Sequence, residues 1–126
     1  MDIRKMEKAA IAALEDIKAR DIVVLKVAHL SPLFERFIIA SADSTRQVKA
    51  LAANVRDKLK EQGYPVLSRE GEESGEWVLV DLGAIVVHVM QPTVRQYYNL
   101  EELWDQPDAK PPRARKKAAE VRAAAR

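Results

Sequence analysis

Cysteine is absent from this 126-residue chain, which excludes disulfides, thiolate catalysis and cysteine-based zinc sites. Only four glycines occur, at 63, 71, 75 and 83, and none builds a phosphate-cradling loop. Walker-type and dinucleotide fingerprints are therefore missing. Ser31, Ser41, Ser44, Ser68 and Ser74 all lie outside a nucleophile-elbow context. The two histidines, His29 and His88, have no ligand-spaced partner, so no metal site and no cofactor is expected. No apolar run reaches membrane-spanning length, and Met1-Asp2-Ile3-Arg4-Lys5 leads into an amphipathic, charged segment rather than a signal-type run. A cytoplasmic protein with no membrane contact and no small-molecule substrate is the expectation.

The formal net charge of +2 is unevenly spread. Residues 105–126 hold seven Lys/Arg against three Asp/Glu, whereas the residues before them hold 14 against 16. The tail is basic and the body mildly acidic, so the folded part gains no support as a nucleic-acid binder.

Ile3, Met6, Ala10, Ala13 and Ile17 recur at three- and four-residue steps, the stripe of an amphipathic helix. The β-branched run from Asp21 to Val27 predicts a buried strand, and Arg36 to Ser41 a second. Ser44 with Gln47 resembles a capping box. It precedes a helical stripe of Val48, Leu51, Ala52, Val55 and Leu59 that stops at Gly63. Tyr64 to Arg69 reads as a weaker strand. Pro92 suits the first turn of a helix through Tyr98, and Asn99 with Glu102 could cap a further turn through Trp104. The order is α-β-β-α-β-β-β-α, an α/β (α+β mixed) domain with a mixed sheet of about five strands over residues 1–104. Residues 105–126, rich in Ala, Lys and Arg, read as a disordered or marginally helical tail.

The stretch from Gly75 to Gln91 reads as a β-hairpin, two apolar runs around Asp81-Leu82-Gly83-Ala84. A tight loop at Leu82-Gly83 pairs 81 with 84, 79 with 86 and 77 with 88. Alternation then puts Trp77, Leu79, Asp81, Val86, His88 and Met90 on one face and Val78, Val80, Ile85, Val87 and Val89 on the other. The aliphatic face belongs to a core. The mixed face predicts a water-facing contact surface. Asp81 lacks the second carboxylate, two residues away, that a magnesium-holding pair requires, so turn stabilisation or partner contact is expected and catalysis is not. Arg95 and Tyr98 share a helix face of the kind enriched at interfaces, with Tyr98 the more exposed tyrosine. Glu70, Glu72, Glu73 and Glu76 form an acidic rim suited to a basic partner.

At these residues the chain resembles the ribosomal silencing factor family, RsfS, also called Iojap-like proteins. The resemblance rests on Asp21 to Leu25, Phe37 to Ser41, Ser44 to Val48, Glu70-Gly71, Glu76 to Gly83, Val86 to Gln91 and Arg95 to Trp104. It covers nearly all of residues 1–104 in register and leaves the tail outside. Phe34-Glu35-Arg36-Phe37 and Ala42-Asp43-Ser44 depart from the family's usual pattern.

The resemblance implies a nucleotidyltransferase-like fold without its catalytic set. It also implies binding to the large ribosomal subunit through ribosomal protein uL-fourteen, blocking the small subunit and repressing translation, with a role in large-subunit biogenesis in relatives. The contact set expected is Trp77, Leu79, Asp81, His88, Met90, Arg95 and Tyr98, with Glu70 and Glu73 at the rim. Other readings stand beside it: a homodimer through the same face when free, a divergent nucleotidyltransferase, and a basic tail that touches ribosomal RNA.

Overall fold

A computed structural model describes residues 3–29 and 32–105. The tail expected over 105–126 lies almost wholly outside these residues. The elements are α1 (Ile3–Asp16), β1 (Arg20–Lys26), β2 (Arg36–Ser41), α2 (Thr45–Glu61), β3 (Ser68–Glu70), β4 (Trp77–Asp81), β5 (Ile85–Met90), α3 (Pro92–Tyr98) and α4 (Leu100–Asp105). They follow the expected order, with the last helical segment divided in two. The division falls at Asn99, whose left-handed backbone (φ 49°) ends α3 while its N–H reaches the Arg95 carbonyl.

The five strands form one mixed sheet in the order β1-β2-β5-β4-β3. Only β2 and β5 run parallel, and they occupy the centre. That position explains their composition: Phe37-Ile38-Ile39-Ala40 and Ile85-Val86-Val87 are apolar on both faces because both faces are covered. On one face Ile38, Ala40, Val78, Val80, Ile85, Val87 and Val89 pack beneath α1 and α2. Each helix contributes the stripe read from its spacing: Met6, Ala10 and Ala13 from α1, and Val48, Leu51, Ala52, Val55 and Leu59 from α2.

Both ends of α2 are chemically fixed. The Ser44 hydroxyl accepts from the Gln47 N–H at 3.1 Å, and the Gln47 side chain reaches back to the N–H of Asp43. At the far end the Gly63 N–H bonds the Lys60 carbonyl and the Tyr64 N–H the Leu59 carbonyl, a Schellman closure that requires the positive φ (86°) of Gly63.

Three local expectations need correction. The strand expected to be buried, β1, is an edge strand paired only with β2 and half-exposed, with a register break between Arg20 and Val23 where Asp21 takes φ 51°. The strand expected from Tyr64 shortens to Ser68–Glu70, since Pro65 withholds a donor and pairing begins only at Asp81↔Ser68. In the hairpin, the observed partners are Asp81↔Val86, Leu79↔His88 and Trp77↔Met90, two residues beyond the expected ones. The connection is Leu82-Gly83-Ala84, closed by Leu82 N–H to the Ile85 carbonyl at 2.9 Å. A slip of two preserves the side-chain period, so the two faces keep the residues read from the sequence.

Candidate functional site

The second face of the sheet carries Leu25, Phe37, Ile39, Trp77, Leu79, Val86 and Met90. It is not open to water. Leu100 at the start of α4 and Phe34 from the β1–β2 connection are buried against it, and Val94 and Tyr98 of α3 pack alongside. Trp77 is 7 % exposed, His88 1 % and Asp81 2 %, while Leu79 and Met90 are fully enclosed. The expectation that Trp77, Leu79, Asp81, His88 and Met90 form a water-facing ridge is therefore corrected: this face is a second core layer. The same burial removes the exposed patch on which self-pairing was expected to rest. Sequence reasoning missed the cover. The signal was Val94 with Tyr98 four residues on, an inward pair on one helix face.

Within this layer the polar groups are partnered locally. The Trp77 indole Nε1–H donates to His88 Nδ1 at 3.0 Å. An accepting Nδ1 places the ring proton of neutral His88 on Nε2. That atom is buried and has no hydrogen-bond partner among the described residues. The Phe37 ring meets the imidazole edge-on, with centroids 4.6 Å apart, and the Tyr98 ring lies 4.7 Å from that of Trp77. Phe37, His88, Trp77 and Tyr98 thus run as a continuous chain of rings toward the surface, and Tyr97 continues it, 5.1 Å from Tyr98.

Burial pushes the His88 imidazole down from 6.5 to about 3. His88 is neutral throughout the physiological range, so it cannot serve as a binding switch near pH 6. It does shape acid stability. The unfolded imidazole takes up a proton as pH falls below 6.5 and the folded one does not until about 3, so stability present above 6.5 is lost through that window. The expected loss is about 1.4 kcal/mol per pH unit from this one group. Urea unfolding at pH 7 and pH 5 should show wild type losing more stability than His88→Gln; equal losses would assign the acid sensitivity to carboxylates instead.

Asp81 serves the turn. Its carboxylate accepts the Gly83 N–H at 2.8 Å, inside the fold. Among the described residues no group of three or more His, Asp or Glu is placed to hold a metal ion.

The helix residues also differ from expectation. Arg95 is mostly buried, donating from Nη1 to the Ser41 hydroxyl and from Nε to Glu101, each at 2.7 Å. Tyr98 is the half-buried tyrosine, and Tyr97 is 70 % exposed. Glu73 is exposed and Glu70 half-buried beside a concavity of about 330 Å³ lined by Arg69, Glu70, Gly71, Glu72 and Glu73. Arg69 pairs with Glu72 at 3.0 Å. Gly71 lies against the backbone of Trp77, which joins this acidic loop to the ring chain.

The fold and this layer define a small mixed α/β protein whose central hairpin is enclosed on both faces, and whose accessible features include an acidic loop and an exposed tyrosine. A family described as "Ribosomal silencing factor during starvation" matches the chain over residues 1–126. The chain belongs to this family, RsfS, which is concerned with ribosome silencing and translation regulation rather than defined by an enzymatic reaction. It is 58 % identical over 104 residues to the ribosomal silencing factor RsfS of Chromobacterium violaceum, covering 82 % of this chain and 85 % of that one. A crystal structure of a Chromobacterium violaceum protein at 58 % identity superposes with a TM-score of 0.81 over 82 % of this chain and 87 % of the other. A mouse protein named for mitochondrial assembly of the ribosomal large subunit is 34 % identical over 97 residues, 75 % of this chain and 42 % of its own length.

Proposed function

We propose that the protein silences ribosomes by steric occlusion: it docks on the large subunit through ribosomal protein uL-fourteen and keeps the small subunit off. The observation that carries this reading is the family match over the whole chain. Occupancy alone suffices, so no reaction is required and the protein works in the cytoplasm, where bacterial ribosomes meet their messages. The docking surface is the outer end of the ring chain. Tyr97 and Tyr98 supply the aromatic contact, and Glu70 and Glu73 supply charge matched to a basic ribosomal protein. Trp77, Leu79, Asp81, His88, Met90 and Arg95 contribute from beneath by holding that surface in shape. A second duty in large-subunit assembly is favoured by the name of the mitochondrial relative.

The direct test is a sucrose gradient with purified subunits. The protein should travel with the large subunit, and small subunits added afterwards should fail to form full ribosomes. Unchanged subunit joining at saturating protein would overturn occlusion. Tyr97→Ala should leave the unfolding midpoint nearly unchanged, because the side chain is mostly in water, while weakening binding about thirtyfold, the equivalent of about 2 kcal/mol. Wild-type affinity in this variant, measured by titration against isolated uL-fourteen, would move the contact elsewhere.

A further inference from the structure

The acidic character of the body conceals a division. Residues 3–63 hold twelve Lys/Arg against eight Asp/Glu, and residues 64–104 hold two against seven. The two halves meet where the 70–76 loop reaches the start of α2, with the Gln91 side chain bonding both the Thr45 hydroxyl and the Gly75 carbonyl. Away from that loop they separate: α3 and the start of α4 pack on one face of the sheet, and the α1–α2 layer packs on the other.

On α2 the cations are further sorted. Arg46, Lys49, Arg56 and Lys60 succeed one another by three, seven and four residues, which places them on one side of the helix, away from the buried stripe. The position between them on the same side is Ala53, and Asp57, beside Arg56 and three residues before Lys60, sets one exposed carboxylate against four cations there. Arg46, Lys49 and Lys60 are exposed and make no ion pair among the described residues. Arg56 is held by the adjacent Asp57 at 2.8 Å, and Glu72 acts on it at longer range. The row faces away from α1, since Asn54 on the other flank bonds the Ala13 carbonyl. Lys49 lies close to Gly75, so the basic row begins where the acidic loop ends.

A helix stabilised by its own surface would alternate signs at these spacings. Like charges three or four residues apart, as at Arg46/Lys49 and Arg56/Lys60, instead cost about 0.2–0.5 kcal/mol per pair. A partner with regular negative charge removes that cost. The row spans about 21 Å at 1.5 Å per residue, the length of roughly six nucleotides of one strand.

We propose that this face of α2 is a contact for the phosphate backbone of RNA. It rests on the reading of the protein as a large-subunit binder, and it makes the molecule straddle two chemistries there: the acidic loop and Tyr97 toward a basic protein, the α2 row toward ribosomal RNA beside it. No base is read; the contact is electrostatic and independent of sequence.

The test uses the full chain and a short RNA duplex, followed by fluorescence anisotropy at several salt concentrations. The triple variant Arg46→Gln, Lys49→Gln, Lys60→Gln is compared with the charge-matched variant Lys8→Gln, Lys18→Gln, Lys26→Gln, whose three exposed lysines lie off the row. Glutamine retains helix propensity close to that of the residues it replaces. The first triple should weaken binding at least tenfold at low salt and lower the slope of log K against log salt by about two to three units; the matched triple should move either far less. Equal effects of the two triples would reduce the row to diffuse net charge and overturn the proposal, as would a wild-type protein without affinity for the duplex. Titration against isolated uL-fourteen separates this from the docking reading: the α2 triple should bind it as wild type does, and loss of that binding in wild type itself would sink only the docking surface.

Discussion

Trp77→Ala is expected to destabilise the protein by about 3–5 kcal/mol, the range for removing a large aromatic from a packed interior. The indole sits between the Tyr98 ring and His88 and is 7 % exposed. Truncation also strips Nδ1 of His88 of its donor, leaving both nitrogens of a buried imidazole without partners. Much of a small domain's total stability is of this size, so the variant should show an early urea midpoint and loss of ribosome binding together. Trp77→Phe keeps the ring bulk and drops only the hydrogen bond, and it should lose considerably less. If Trp77→Ala unfolds at the wild-type midpoint yet fails to bind large subunits, the indole is a direct contact and not a support.

Gly71→Ala is expected to be nearly as damaging, although it adds one methyl. Gly71 has φ 91°, a conformation that costs a residue with a side chain about 1–2 kcal/mol. A Cβ there would also lie 2.0 Å from the Trp77 carbonyl oxygen, so the backbone at the start of β4 must shift. The two effects act together at the place where the acidic loop meets the ring chain. Stability should fall by more than the conformational cost alone, and the affinity for uL-fourteen should fall with it, because Glu70 and Glu73 flank the displaced segment. Gly63→Ala supplies the comparison, since φ is again positive (86°) but nothing lies within 4 Å of the added atom. Equal losses in the two variants would mean that crowding against Trp77 contributes nothing.

The architecture was largely legible because its signals are local. The α2 stripe, its Ser44 and Gln47 cap and the Gly63 stop can all be read without knowing what they pack against. The two faces of the hairpin were legible too, since alternation survives even a register misread by two. What alternation cannot reveal is which face is covered. Trp77, His88, Met90 and Asp81 are types found at interfaces, and here they are sealed by residues from elsewhere in the chain, Phe34, Val94, Tyr98 and Leu100. Their polar atoms find partners nearby, the turn N–H for Asp81 and the indole for Nδ1 of His88, while Nε2 of His88 is left buried without one among the described residues. The exchange of Tyr97 for Tyr98 as the exposed ring has the same origin, because the side of α3 that turns inward is set by the cluster below it. The edge position of β1 was likewise hidden, as a β-branched run reads alike in the middle of a sheet and at its margin.

The strand order has a consequence for biogenesis. The β1–β2 and β3–β4 pairs are each built from neighbouring stretches, yet in the sheet the two pairs are hydrogen-bonded together through β5, residues 85–90. A nascent chain that has not yet delivered this segment holds two unjoined half-sheets, each with a bare apolar margin. Assembly therefore waits on long-range closure by residues 85–90, and a chain cut short before residue 85 should aggregate rather than persist as a smaller working unit.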